Sequence, residues 1–324
     1  GGPSAGLTDP ADRVSLLIRQ HRAGFSDLDP VSGRKRVVVD LRISDMERRQ
    51  YAEDGFIVRT RVFGHADLQR FRGAAERVVH AATRSSLEVT STAEGPADVG
   101  SESDYRIDGN RYVEIADATT VQFEHHAGSE TIRVIEPFHH LDPVFDELVQ
   151  DSRIVTPVCG LLGIDRVALW TDKINLKRPR EGSGFRWHQD SPYWSHVCGH
   201  CDQLPNVMVT FDDADRDNGC FRLVRGSHRD GFLPGLNDGT RLGPLFTDSS
   251  SFNADDQWLA ELPAGSIVIF DAHAVHGSEP NLSDRARRAV IMTYQPADNP
   301  MFKAAGVRNF SISEAVAEST SGSP

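Results

Sequence analysis

The sequence predicts a mainly β protein with flanking helices: an antiparallel sandwich or barrel in the second half, covered by helices from the first. Three observations carry this. Short β-type runs at 167–176, 206–211, 220–224, 266–270 and 289–294 are broken by Gly, Pro, Asp and Asn. No regular helical pattern alternates with them, so a doubly wound parallel sheet does not fit. The first half, in contrast, places apolar residues at helical spacing.

Taken in chain order, residues 1–6 (Gly-Gly-Pro-Ser-Ala-Gly) read as a flexible lead. Ser44-Asp-Met-Glu47 is a capping-box pattern that opens a helix stopping near Gly55. Residues 56–63 read as a strand, and Leu68, Phe71, Ala75, Val78 and Val79 give 66–83 a helical stripe. The polar, acidic stretch 85–109 reads as a surface excursion. Two helical patterns fill 143–162 and end at Gly163, and 318–324 read as a frayed tail. With no repeat and no clear linker, the expectation is one domain over 1–324. It would comprise an N-terminal extension (1–43), a largely helical cover (44–165), a β core holding the site (166–300) and a C-terminal tail (301–324).

Composition narrows the function. Of 324 residues 39% are apolar, and 35 basic against 47 acidic side chains give a net charge of −12. That charge argues against nucleic acid or an anionic membrane surface as the main partner. No run approaches the roughly 18 apolar residues of a membrane helix, and the amino terminus shows no export-signal pattern. Four cysteines are too few for a disulfide scaffold in a chain of this length, so a reduced, cytoplasmic protein is expected. Only Lys35, Lys173, Lys177 and Lys303 are lysines, an Arg bias that points to a GC-rich bacterial coding sequence.

The chemistry-bearing residues fall in two clusters. In Gly184-Phe-Arg-Trp-His188-Gln-Asp190, strand alternation lets His188 and Asp190 reach one point, a donor pair suited to a divalent first-row metal. The apolar run 266–270 then ends in Asp271-Ala-His273-Ala-Val-His276-Gly-Ser278, which delivers titratable residues to the rim of a sheet. His273 and His276 are three apart, so only one of them can face the same point. Arg285, Arg287 and Arg288 follow, leading into another strand; an Arg there offers a planar fork for a carboxylate. His196-Val-Cys198-Gly-His200-Cys201 competes as a zinc site, but one Cys-x-x-Cys without a second pair reads better as a loop near the pocket. His125, His126, His139 and His140 read as loop or surface residues.

The ordered set His188-x-Asp190, Asn218-Gly-Cys220, Gly226-Ser-His228, His276-Gly-Ser278-x-x-Asn281-x-Ser283 and Arg287 resembles the phytanoyl-CoA dioxygenase family of iron and 2-oxoglutarate enzymes. The likeness runs from about Gly55 to about Tyr294, and the stretch before Asp190 is also similar to the ectoine hydroxylases of that family. The resemblance implies a double-stranded β-helix (jelly-roll, cupin-like) core holding one Fe(II) by His188, Asp190 and His276. It implies 2-oxoglutarate and O2 as co-reactants, with Arg287 on the distal carboxylate, helped by Ser278 and Asn175. It also implies hydroxylation of an unactivated carbon of a small molecule, with release of succinate and CO2, in a setting such as bacterial secondary metabolism. Asp190 fills the place that halogenating relatives leave open for chloride. Tyr193, Trp194 and His196, just beyond the ligands, are candidate substrate contacts. Arg225 stands where the family loop carries Pro, and His228 reads as a structural hydrogen-bonder. The rival readings are a cupin-type isomerase or other jelly-roll metalloenzyme without 2-oxoglutarate, and a non-catalytic metal-containing binding protein.

Overall fold

The structure, a computed structural model, describes residues 26–28, 35–37, 41–92, 103–116, 118–126 and 128–312. The readings of 1–6 and 318–324 lie outside the described residues. Strands β1 (Ser26–Leu28) and β2 (Lys35–Val37) pair antiparallel. They belong to one compact unit, Gly1–Arg42, and the site lies wholly in the other, Ile43–Pro324.

Local signals act where the sequence places them. The helix Asp45–Asp54 starts at Ser44, whose hydroxyl caps the Glu47 backbone while the Glu47 side chain reaches back, and it stops at left-handed Gly55 (φ 84°). Arg225, in place of the family Pro, reaches Asp54 at 2.7 Å, and its N–H donates to the Asp256 carbonyl, a bond Pro could not make. The helices Pro143–Leu148 and Ser152–Leu162 match the two patterns read there, with Asp142 and Asp151 as caps and left-handed Gly163 as the stop.

The strands continue as β3 (Phe56–Arg59), β4 (Asp104–Ile107), β5 (Asn110–Ile115), β6 (Thr119–Phe123), β7 (Ile132–Glu136) and β8 (Arg166–Lys177). Then come β9 (Phe185–His188), β10 (Asn206–Thr210), β11 (Phe221–Val224), β12 (Gln257–Leu259), β13 (Ile267–Phe270), β14 (His276–Ser278), β15 (Arg287–Pro296) and β16 (Asn309–Ser311). A large sheet runs β3-β13-β10-β15-β8-β7-β6-β5-β4, with β16 also on β8; a small one runs β12-β11-β14-β9. This is the jelly-roll expected.

The central strands of the large sheet are buried on both faces, which is why they read as unbroken apolar runs. Val207, Val209, Ile267, Ile269, Val290 and Met292 join one apolar cluster with Phe71, Val78, Phe145 and Val158 of the helices. Their alternates Met208, Val268, Phe270, Ala289 and Ile291 pack with Phe221 and Leu223 of the small sheet. The second face, between the sheets, is where the site is built.

The segment 44–165, expected as largely helical cover, carries five strands besides its helices. β4 to β7 extend the large sheet outward from β8, and the helical stripe read over 66–83 belongs to a longer helix, His65–Thr92. The excursion read over 85–109 is therefore helix at its start and a hairpin at its end. Its turn is Asp108-Gly109, both left-handed (φ 49° and 81°), the two-residue turn that matches strand twist. β4 and β5 are half-buried and polar, so no apolar run announced them; β6 and β7 are mostly buried but mix polar residues with apolar ones.

Phe211 is fully buried at the helix–sheet seam, 5.2 Å from the Phe71 ring and 5.9 Å from Phe145. Phe211→Ala is expected to cost about 3–5 kcal/mol. Urea unfolding checks this: the midpoint should fall with little change in slope.

Candidate metal centre

Antiparallel pairing of β9 and β14 sets His188 directly opposite His276, with ring centroids 4.1 Å apart. Asp190 joins them by a turn, not by the strand alternation read from sequence: β9 ends at His188, and Asp190 has helical φ/ψ at the cap of the one-turn helix Ser191–Trp194. The N–H groups of Asp190 and Ser191 both donate to the Ala272 carbonyl at 3.0 Å, tying this turn to the chain just before β14. The carboxylate lies 3.6 Å from His276 Nε2 and 4.0 Å from His188 Nε2. One donor atom from each residue falls within 4.8 Å of the others, the one such group of three or more among the described residues.

The two imidazoles are oriented alike. Each Nδ1 bonds the carbonyl two residues back, His188 to Arg186 (2.8 Å) and His276 to Ala274 (2.9 Å), so both Nε2 atoms face the carboxylate. Such second contacts fix the tautomer a metal needs. His276 Nε2 is buried and has no hydrogen-bond partner. Left so, a buried polar atom costs about 1–3 kcal/mol, which a metal ion would relieve. The donor set, two imidazoles and one carboxylate, suits Fe(II) and leaves the remaining coordination positions open.

Electrostatics point the same way. Burial, and then His276, push the His188 imidazole down to about 3, so it is a neutral donor at any ordinary pH. Burial alone would raise the Asp190 carboxyl, but Lys173 and the two imidazoles outweigh it and hold it at about 2. Lys173 Nζ donates to Asp190 Oδ1 (3.3 Å) and Asn206 Nδ2 to Oδ2 (2.9 Å), with Thr293 holding Asn206 in turn. Sequence reasoning missed Lys173 and Asn206. Their only signal was a polar residue at an inward position of an apolar strand.

The remaining expected residues sort clearly. His273 is buried between Ser191 Oγ and Asp202, both at 2.8 Å, so of the two histidines it is His276 that faces the cluster. Arg287 is 4% exposed at the start of β15, with Nη2 on the Gly219 carbonyl (2.8 Å) and Nε unpartnered. Asn175, 6% exposed on β8, has an unpartnered Oδ1, and Ser278 lies two residues beyond His276 on β14, also buried. The Tyr193 ring is 6.1 Å from that of His188. Trp194, in contrast, is 4% exposed and packs edge-on against Trp170 in an apolar cluster, because one helical turn puts it on the same buried side as Ser191. His196 is exposed.

His228 lies against Gly55 and Tyr51, outside the three-donor group. The Cys198 and Cys201 sulfurs are 3.4 Å apart, but His200 turns to Gln295, so the zinc alternative finds no four-ligand set here. His125 and His126 are at the surface as read. His139 is not: it is buried with Nδ1 2.7 Å from Asp172, whose other oxygen takes the Phe138 and His139 N–H groups. The surface reading failed because its partner lies 33 residues away on β8.

Residues 51–289 match the family model described as Phytanoyl-CoA dioxygenase (PhyH). The ectoine dioxygenase of Bordetella parapertussis is 30% identical over 54% of this chain and 60% of its own length. The 2-aminoethylphosphonate dioxygenase of an uncultured bacterium is 35% identical over 42% of this chain and 48% of its own. The alignments thus span about half to three-fifths of these relatives. Among solved structures, EctD from S. alaskensis with 2-oxoglutarate and 5-hydroxyectoine superposes with a TM-score of 0.58 at 22% identity, covering 87% of each chain, which shows the shared fold. With the family model spanning most of the chain, the protein belongs to the phytanoyl-CoA dioxygenase (PhyH) family of iron- and 2-oxoglutarate-dependent oxygenases.

Proposed function

We propose that the chain is an Fe(II)- and 2-oxoglutarate-dependent dioxygenase that oxidises, most simply by hydroxylation, an unactivated carbon of a small molecule. The observation that carries this is the cluster of two inward-turned imidazole nitrogens and a carboxylate, together with a buried, half-partnered guanidinium, Arg287, on the inter-sheet face of β15. When bound, metal and cosubstrate would supply oxidation of a C–H bond by O2, with 2-oxoglutarate leaving as succinate and CO2.

The residues divide the remaining work. His188, Asp190 and His276 hold the metal, while Lys173 and Asn206 keep the carboxylate ionised and aimed. Arg287 holds the distal carboxylate of 2-oxoglutarate, with Ser278 and Asn175 as further polar contacts. Tyr193, beside His188, is the residue of its segment best placed to meet substrate. Burial of the cluster excludes water from the reacting centre.

A cupin-type isomerase has no use for a buried guanidinium left half-partnered on the inter-sheet face, and a structural metal site closes its ligand shell rather than offering three donors. Asp190, in the place halogenating relatives leave free for chloride, favours hydroxylation or another outcome of hydrogen removal. Relatives named for ectoine, 2-aminoethylphosphonate and, in Streptomyces griseoviridis, L-proline support a small polar substrate in bacterial metabolism. Among the described residues no helix is long and apolar enough to cross a membrane, and all four cysteines are free, which supports a reducing, cytoplasmic setting.

Three outcomes are expected. His188→Ala or His276→Ala should abolish stoichiometric iron binding and succinate release; full iron content by metal analysis in either variant would reject the assignment. Arg287→Ala should raise the 2-oxoglutarate requirement by roughly 10- to 100-fold, the worth of a charge-assisted hydrogen bond, read from succinate formation. Turnover in chloride should give no chlorinated product by mass spectrometry.

A further inference from the structure

Opposite Arg287 stands a second buried basic group that the proposed function does not use. Register pairs Lys177 of β8 directly with Arg287 of β15. Both lie on the inter-sheet face, the same parity as Asn175 on β8 and Ala289 and Ile291 on β15. Lys177 is 1% exposed. Its amine donates to the Glu279 carbonyl, and a Cβ added at Gly219, the residue whose carbonyl accepts from Arg287, would lie 2.9 Å from Lys177 Nζ. Both cationic groups thus converge on the same glycine. Among the described residues neither has a carboxylate within ion-pairing distance. Like charges directly opposite on one sheet face repel, and burying them together costs several kcal/mol unless an anion joins them.

The geometry points to Lys177 as the second cation of a clamp: its amine and the Arg287 guanidinium together hold the distal carboxylate of 2-oxoglutarate, and the amine gains a proton as that anion enters. This rests on the cosubstrate reading above. Burial, then Arg287 and Arg133, push the Lys177 amine down to about 5, with Glu124 and Glu279 pulling the other way and losing. Of the groups around it, Glu279 is engaged by Arg222 and Glu124 by Ser183, while the buried Cys220 thiol is pushed up to about 11, chiefly by its burial, and is uncharged. The empty clamp therefore holds one fixed charge, Arg287, and one amine kept neutral until a carboxylate compensates it. Asn281 sets the spacing: its amide nitrogen donates to the carbonyls of Lys177, Arg178 and Arg285, binding the end of β8 to the start of β15.

Anaerobic calorimetry tests this, with 2-oxoglutarate titrated at pH 7 into the Fe(II)-loaded protein in phosphate and in Tris, whose ionisation enthalpies differ. Wild type should take up close to one proton per site and bind more weakly as pH rises. Lys177→Met, which keeps the stem and removes the amine, should take up none and bind roughly 10- to 100-fold more weakly while still holding iron. Normal wild-type binding without proton uptake overturns the clamp and leaves the proposed function standing, as does a Lys177→Met variant with wild-type affinity. Failure of wild type to bind 2-oxoglutarate overturns both.

Discussion

The site hangs on one cross-strand pair. β9 and β14 meet in a register that puts His188 face to face with His276, and each ring is locked by a bond from Nδ1 to the carbonyl two residues behind it. Slipping either strand by one residue would turn its imidazole out of the shared space. The turn that adds Asp190 is fastened independently, through the Ala272 carbonyl and through Gln189, which bonds the His273 and Gly231 carbonyls and the Leu233 N–H. The donor side chains thus stand on backbone pinned by strand pairing and by hydrogen bonds. Their spacing costs little to hold when a metal enters.

Around this pair the fold separates its charges by purpose. On one side Lys173 and Asn206 occupy both oxygens of Asp190, leaving a carboxylate that stays ionised in a dry site. On the other, the ends of β8 and β15 carry basic groups, Lys177 and Arg287, with nothing but backbone carbonyls to bond. Buried charges are usually paired. The anion clamp proposed above accounts for a pair of strands that leaves two basic groups facing each other.

Much of this was legible in the sequence, for identifiable reasons. The central strands are buried on both faces, so 266–270 and 289–294 announced themselves as apolar runs. Ser44, Gly55 and Gly163 act through local geometry alone and fell where read. The three clustered donors and Arg287 sit in compact motifs. What escaped depends on partners distant in sequence. His139 looked like a surface residue because Asp172 lies on another strand, and Trp194 looked like a pocket residue because nothing nearby showed that Trp170 would cover it. β4 and β5 are polar and half-buried, which hid them behind an acidic composition, while β6 and β7, though mostly buried, mix Thr, Gln, Arg and Glu with their apolar residues. Nothing in the sequence singled out Lys177, since only the register with β15 reveals that it is buried opposite Arg287.

The most direct test is a crystal structure of the protein prepared without oxygen in the presence of Fe(II) and 2-oxoglutarate. The account predicts one iron on the Nε2 atoms of residues 188 and 276 and a carboxylate oxygen of 190, with the keto acid completing its shell and reaching the guanidinium of 287. Iron bound elsewhere, or a keto acid whose far end lies away from that guanidinium, would contradict it.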